Sequence, residues 1–498
     1  NAEREVSGNV RLFAPVTSEP VAGDYERLRL GYGTKIRVGC ELRREERFLN
    51  PGAVSAREIL DQKQLDATAT IKSPLLVENL GGEEEERWRN APLAWAFERR
   101  QDLILDFKKY FSVSTSGVLI ASLLGNRYHL DKPSADRFRE GGTFHVVVIS
   151  GLQITFIGGM MILLVRRLTK NRWAQFLSAS LFLWLYTFTV GAETPVVRAA
   201  LMFTVLHFAG VIFRQATLLN ALGAAALMLL VHRPSDLFDQ SFQLTFACVG
   251  AIVGSAFPLL EKLRAVGSWQ PSAETPVPPE CSKKLKIFCE TLYWSESDWR
   301  REQARSTWQA RLFKSPYAEK LERCGVQKIL RFLFEMILVS VIVQAWLLPF
   351  LVIYFHRLSL AGIFLNVWAG LLMALASLTA VGAVFFAEFS SALAAPFILT
   401  TEIINWIILF GAGIFVENGW ASLRIAQYSG ALRAVYVLYL APVVWLTILL
   451  HKWRPFDLES DSSETQNQRS KIKDRKPPAA NRRLQIKAAA ASFSFLAV

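Results

Sequence analysis

Residues 144–172 read FHVVVISGLQITFIGGMMILLVRRLTKNR, and the fold class turns on this stretch. From Phe144 to Val165 it holds no Asp, Glu, Lys or Arg. A bilayer core needs roughly 20 mostly apolar residues of helix, so the run is long enough to cross one. Arg166, Arg167, Lys170 and Arg172 follow at once. Basic clusters stay on the cytoplasmic side, which places the C-terminal end of this span inside.

Outward from it the pattern repeats. Apolar runs follow at Trp173–Val190, Val196–Phe213, Leu218–Val231 and Phe242–Leu260, then, after a polar stretch from Glu261 to Lys328, at Ile329–Phe355, Leu360–Phe386, Ile403–Val416 and Val435–Leu450. A soluble protein with greasy core helices is the alternative, but core helices seldom run so long without a polar face. Upstream, Ile104–Leu124 is apolar yet carries Asp106, Lys108 and Lys109, and reads as an interfacial or re-entrant segment. The sequence thus predicts a polytopic α-helical membrane protein with about 8–10 membrane segments.

Alternate counting also puts Arg214 inside, together with Lys262, Lys283, Lys284, Lys286, Arg300, Arg301, Arg305 and Arg311 of the long loop, and Lys471, Lys473, Arg475, Lys476, Arg482 and Arg483 of the tail. Independent clusters agree on one parity, with the N-terminal region outside. Lys plus Arg number 56 against 43 Asp plus Glu, a net +13. Topology accounts for such an excess without any polyanionic partner. Hydrophobic residues make up 52% of the 498, and the mean hydropathy is +0.25.

Before the membrane part, VSGNVRLF (6–13), YERLRLGY (25–32), TKIRVGCEL (34–42) and LDATATIKS (65–73) read as short strands between Gly and Pro residues. A small N-terminal β-barrel of the oligonucleotide/oligosaccharide-binding (OB-like) type suits them, with a helix over Ala56–Leu65 interrupting. Residues 83–100 read as a charged helix. The domain organisation is therefore a β domain over 1–80, a charged helix and interfacial segment over 81–143, a first helix group over 144–264, and a basic loop over 265–328. A second helix group covers 329–452, a Ser-, Lys- and Pro-rich disordered tail 453–485, and an apolar stub 486–498. The chain opens on Asn1 without a signal-peptide h-region, and Ala488–Val498 is too short to span, so both ends read as cut from a longer product. Cys40, Cys248, Cys281, Cys289 and Cys324 show neither metal-ligand spacing nor a paired framework, and no disulfide is expected.

Polar groups in hydrocarbon are expensive and face a bundle interior or a wet cavity. The candidates are His145, Ser150, Gln153, Arg198, Asn220, Asp239, Gln243 and Asn366, with Gln240 and Gln344 beside them. His145 and Gln153 lie eight apart, about 800° of helical rotation, so they point within about 80° of each other. Each has a plainer reading. Ser150 and Gly151 allow close helix packing, Arg198 near a helix start can snorkel, and Asn220, Gln243 and Asn366 can cross-link helices.

The order of these segments resembles the ComEC competence family. FHVVVISGLQITFIGGMM (144–161) is similar to a signature in which a His precedes ISGLH, and GAETPVVRAALM (191–202) to a small-residue turn followed by VVRAALM. NALGAAALMLLVHRPSDLFDQSFQLTFACVGAI (220–252), LPFLVIYFHRLSLAGIFLNVW (348–368) and, upstream, RFLNPGAVSAREILDQKQLDATATI (47–71) resemble further family segments in the same order. The resemblance implies an inner-membrane channel that passes single-stranded DNA into the cytoplasm during natural transformation. It implies as partners a periplasmic DNA-binding competence protein and a cytoplasmic helicase-like motor, with a homodimer possible in principle.

The chain departs from the family at Gln153, where the signature has its second histidine. Its six histidines, His129, His145, His207, His232, His356 and His451, form no HxHxDH cluster of a metallo-β-lactamase-type nuclease. No GxxxxGK phosphate loop occurs either. The chain is therefore expected to be no enzyme and to need no cofactor or metal. Three other functions stay open. A membrane hydrolase using His145 and Ser150 is disfavoured because five residues turn a helix by about 140°, away from a shared face, and no acid orients the histidine. A transporter of another substrate on the same scaffold and an inactive truncated copy remain.

Overall fold

A computed structural model describes residues 6–15, 19–28, 30–31, 33–44, 57, 60–61, 65–81, 91–149, 151–212, 218–270, 278–295, 315–426, 428 and 430–456. The readings at Ser150, Arg214, the 457–498 tail and much of 45–64 lie outside these residues. The chain forms two compact units, 1–106 and 107–498.

In the first unit, β1 (Val10–Phe13) pairs in parallel with β3 (Ala67–Thr70), and β2 (Lys35–Val38) pairs antiparallel with β4 (Val77–Gly81). These are two separate two-stranded sheets, and among the described residues they do not close into a barrel. The segment expected as the strand YERLRLGY is instead the end of helix α1 (Glu19–Arg27) and a turn. Its Asp24 and Arg27 make an i,i+3 ion pair at 3.4 Å, a spacing that brings side chains together on a helix. Helix α2 (Ala91–Tyr110) follows the acidic run.

The rest is almost wholly helical. Ser112 caps α3 (Val113–Leu124) by accepting a hydrogen bond from the Thr115 amide, and Gly125, at φ +72°, ends it. Residues 115–124 of α3 are all buried. At 12 residues, about 18 Å, it is too short to cross hydrocarbon. It is surrounded by protein, so it does not lie on a surface with one face open, which sets aside the interfacial reading of Ile104–Leu124. Then come α4 (Lys132–Glu140), α5 (Phe144–Val147), α6 (Gly151–Leu168), α7 (Arg172–Thr189), α8 (Thr194–Val211) and α9 (Leu218–His232). Helix α10 runs from Gln240 to Gly267 through a π-turn at Ile252–Ala256. The π-turn precedes Pro258, which has no N–H to continue the regular ladder.

After two short helices, α11 (Lys283–Tyr293) and α12 (Pro316–Arg323), comes α13 (Gln327–Phe355), closed by His356 at φ +53°. Strand β5 (Arg357–Ser359), α14 (Ala361–Leu365), α15 (Ala369–Ala387), α16 (Ser391–Glu417), β6 (Ser422–Arg424) and α17 (Ala434–Lys452) complete the chain. Among the described residues six helices are long and apolar enough to cross a membrane: α8, α10, α13, α15, α16, and α17 with its leading turn. Shorter apolar helices are α3 and α9. Large apolar side chains such as Leu227, Val381, Phe410, Leu438 and Leu446 stand exposed along these helices. Water would penalise that surface, and lipid does not.

Two expected spans are broken. Phe144–Val165 is interrupted after α5, where Val148 is extended. Leu360–Phe386 is interrupted between α14 and α15 at Asn366–Trp368. Pairings group the helix ends as alternation of the spans requires. The Lys262 ammonium of α10 donates to the Leu450, His451 and Trp453 carbonyls at the end of α17, satisfying carbonyls that a helix end leaves open. Arg264 forks onto Glu335 near the start of α13 at 2.8 and 2.6 Å. At the other end of α13, β5 pairs with β6.

A close approach joins the α4–α5 loop to β5 and α14. Gly142 has φ +73°, and a Cβ there would overlap the Ser359 hydroxyl, which also donates to the Gly141 carbonyl at 3.1 Å. Gly142→Val is expected to cost about 2 kcal/mol or more, from left-handed strain plus overlap. Gly159→Ala, where nothing lies within 4 Å, is expected to leave stability unchanged. Thermal unfolding of the two variants in detergent, side by side, checks this.

Candidate functional site

Helix α8 starts after a turn at Gly191 and Ala192, both at positive φ, with Pro195 in its first turn. That start carries Arg198 inward, and its side chain is 1% exposed. Asp239 caps α10 by accepting from the Phe242 amide at 2.9 Å. The same cap sets the register of Ser241 and Thr245, four residues apart and so on one face. Arg198 Nη2 donates to Ser241 Oγ at 2.5 Å and to Thr245 Oγ1 at 3.1 Å. Its Nη1 lies 3.8 Å from the Asp239 carboxylate, and Asp236 is close enough to act on the charge as well. Nε and Nη1 have no hydrogen-bond partner. A guanidinium this deep is tolerable only with its counter-charge and hydroxyls in place. Arg198 does not snorkel; it ties α8 to α10.

Gln243, on α10, donates to the Leu237 carbonyl at 3.0 Å and accepts from the Tyr354 hydroxyl of α13 at 2.6 Å. Arg198, Asp239 and Gln243 thus belong to one polar seam over α8, α10 and α13. The other candidates lie elsewhere. Gln153 is 2% exposed and donates to Ser377 of α15 at 3.4 Å. Asn220 is exposed on α9. Asn366 sits in the α14–α15 break, and its buried carbonyl oxygen has no partner.

His145 behaves differently from all of these. Its neighbours Val146 and Val147 are buried in the core with Phe138, Ala369, Met373, Ile404 and Ile408. The His145 side chain is exposed, and its ring makes a hydrogen bond with the Gly142 backbone. Just beyond it, the extended backbone of Val148 and Ile149 interrupts the helix. Non-helical backbone at membrane depth is tolerated where protein buries it or a wet cavity receives it.

A second buried network escaped the sequence reading. Glu402 of α16 accepts from the Ser112 amide at 2.7 Å, the Ser112 hydroxyl at 3.0 Å and the Thr115 hydroxyl at 2.6 Å. Asn405 donates to the same Thr115 oxygen at 2.9 Å. A carboxylate at a helix N-terminus also meets the positive end of the helix dipole, so Glu402 pins the start of α3. The available signal was a lone acid inside an apolar run, and Ser241 and Thr245 were legible as an i,i+4 hydroxyl pair.

The sequence profile described as "Competence protein" matches residues 122–452, which takes in the α8–α10–α13 seam, His145 and Glu402. The chain belongs to the competence protein family. One relative of this competence protein is "ComE operon protein 3" of Bacillus subtilis (strain 168), 24% identical over 206 residues, covering 41% of this chain. The match spans about a quarter, 25%, of that relative's length. No solved structure matches. The chain is thus a polytopic helical membrane protein whose matched part holds the Arg198 network and Glu402, while Ser112 and Thr115 precede it.

Removing the hydroxyls around Arg198 tests its role as a tie. The double variant S241A/T245V leaves a buried donor unmet and is expected to lower stability by about 1–3 kcal/mol. Unfolding in detergent would show it as an earlier melt than that of Asn220→Ala, made on an exposed side chain and expected to melt as the unaltered protein does.

Proposed function

We propose that this protein is an inner-membrane channel passing single-stranded DNA into the cytoplasm during natural transformation. The observation that carries the reading is the competence family match over residues 122–452, within which His145 stands exposed beside the extended Val148 that interrupts the helix. A strand crossing a membrane needs a wet path with polar and cationic lining. His145 and Gln243 are assigned to that path. Arg198 is a positioning residue that, with Asp239 beside it, holds α8 against α10. Gln153 and Asn366 are assigned to helix contacts.

The basic clusters after α6, between α10 and α13 and beyond α17 put the cytoplasm on their side and the N-terminal unit outside, where its surface would guide the strand. Energy comes from a cytoplasmic helicase-like motor, and a periplasmic DNA-binding protein delivers the duplex. The relative's printed name, from a ComE operon, supports the same reading.

The test is uptake in a transformable host that lacks its own channel gene and carries the full gene of this protein. Labelled DNA in the cytoplasm, protected from external nuclease, is expected to rise from background, and His145→Phe is expected to return it there at unchanged protein level. No DNA entry with the unaltered gene overturns the reading. Entry of a labelled small solute in place of DNA would point to a transporter on the same scaffold.

A further inference from the structure

Helix α11 lies against the ends of two long helices. A Cβ at Gly267, the last residue of α10, would overlap the Cys289 carbonyl of α11. On the α13 side, Phe288 packs edge-on to Phe334 with ring centroids 5.1 Å apart. The inward face of α11, Cys289, Leu292 and Tyr293, forms a small core with Leu263 and Val266 of α10. Its one acid, Glu290, is also turned in, at 5% exposed.

The outward face is of a different kind. Ile287 and Phe288 are 41% and 43% exposed, and Lys283 and Lys284 stand exposed one turn away. The neighbouring start of α13 continues this surface with exposed Ile329, Phe332 and Leu333, and with exposed Lys328. From Glu335 to Phe355, α13 rises about 30 Å, the thickness of a hydrocarbon core. The first eight residues of α13 therefore project about 12 Å past that core, to headgroup depth. Ion pairing at Arg264–Glu335 and the Lys262 cap on α17 lie at the same level. So do Trp453, 5.9 Å from Lys262, and Trp269, 5.6 Å from Lys286, in keeping with the aromatic belt of membrane interfaces.

We infer that α11, with the first two turns of α13, is an interfacial platform that lies in one leaflet and binds anionic phospholipid headgroups through Lys283 and Lys284. Ile287 and Phe288 enter the acyl boundary, and the two ammonium groups reach back to the phosphates. One feature favours a lipid surface over a protein partner: the apolar patch is continuous with the exposed flank of α13. The basic clusters make this the cytoplasmic leaflet, where anionic lipid attracts each nearby Lys or Arg by about 1 kcal/mol.

The test uses the full chain in nanodiscs of phosphatidylcholine alone or mixed equally with phosphatidylglycerol. Phe288 is replaced by photoreactive p-benzoylphenylalanine, and lipid adducts are counted by mass spectrometry, with Ile287 replaced in a second variant. Expected are lipid adducts at both positions, their yield severalfold higher with phosphatidylglycerol, and loss of that gain in K283E/K284E. No lipid adduct at either position, or adducts to a second copy of the chain alone, would overturn the platform. Equal yields in the two lipids, or a gain that survives K283E/K284E, would overturn the headgroup contact.

Discussion

Hydrocarbon offers no hydrogen bonds, so each peptide group and polar side chain within it must be satisfied by the protein or by water the protein admits. Most of this architecture follows from that constraint. It makes the family region helical. It also explains why the polar side chains that do enter are bonded across helices: Arg198 to Ser241 and Thr245, Glu402 to Ser112 and Thr115, Trp346 to Ser255 at 3.0 Å and Ser255 to Thr447 at 2.9 Å. Apolar faces cannot drive helices together where lipid is equally apolar, so bonds and close glycine contacts do more of the holding. His145 differs in that its side chain stays exposed beside a break in the helix, and function is assigned there for that reason.

Arg198 illustrates how burial and charge set a role. An arginine near a helix start could equally have reached for the interface. The Asp239 cap and the i,i+4 hydroxyls instead give it a destination inside, where the counter-charge is 3.8 Å away. Removing any one of these leaves the others buried and mismatched, and breaking such a set is usually more damaging than the net worth of the set. The α8–α10 contact therefore depends on chemistry more than on shape.

The helical membrane class was plain in the sequence, because apolar runs of that length, repeated along the chain, belong in hydrocarbon. Arg198, Asp239 and Gln243 were legible too, since charge and amide groups stand out in such runs. What stayed hidden follows from the same property. The break at Val148 was invisible because apolar residues continue through it, and the one at Asn366–Trp368 because a single Asn in an apolar run reads equally well as a helix cross-link. Glu402 was lost because the expected span began at Ile403, after the acid, whereas α16 runs from Ser391 to Glu417. In the N-terminal unit, YERLRLGY alternates like a strand, yet the ion pair three residues apart favours the helix that forms. Asn220 looked like Gln243 in sequence, and only helix rotation put it on the exposed side.

The central claim is that His145 lies on the path of the strand. The most direct measurement is photocrosslinking to DNA arrested during entry, with a photoreactive residue in place of His145 and, separately, of Leu164, which is 59% exposed on the lipid-facing side of α6. The account predicts DNA adducts at position 145 and none at 164. Equal adducts at both, or adducts at 164 alone, would contradict it.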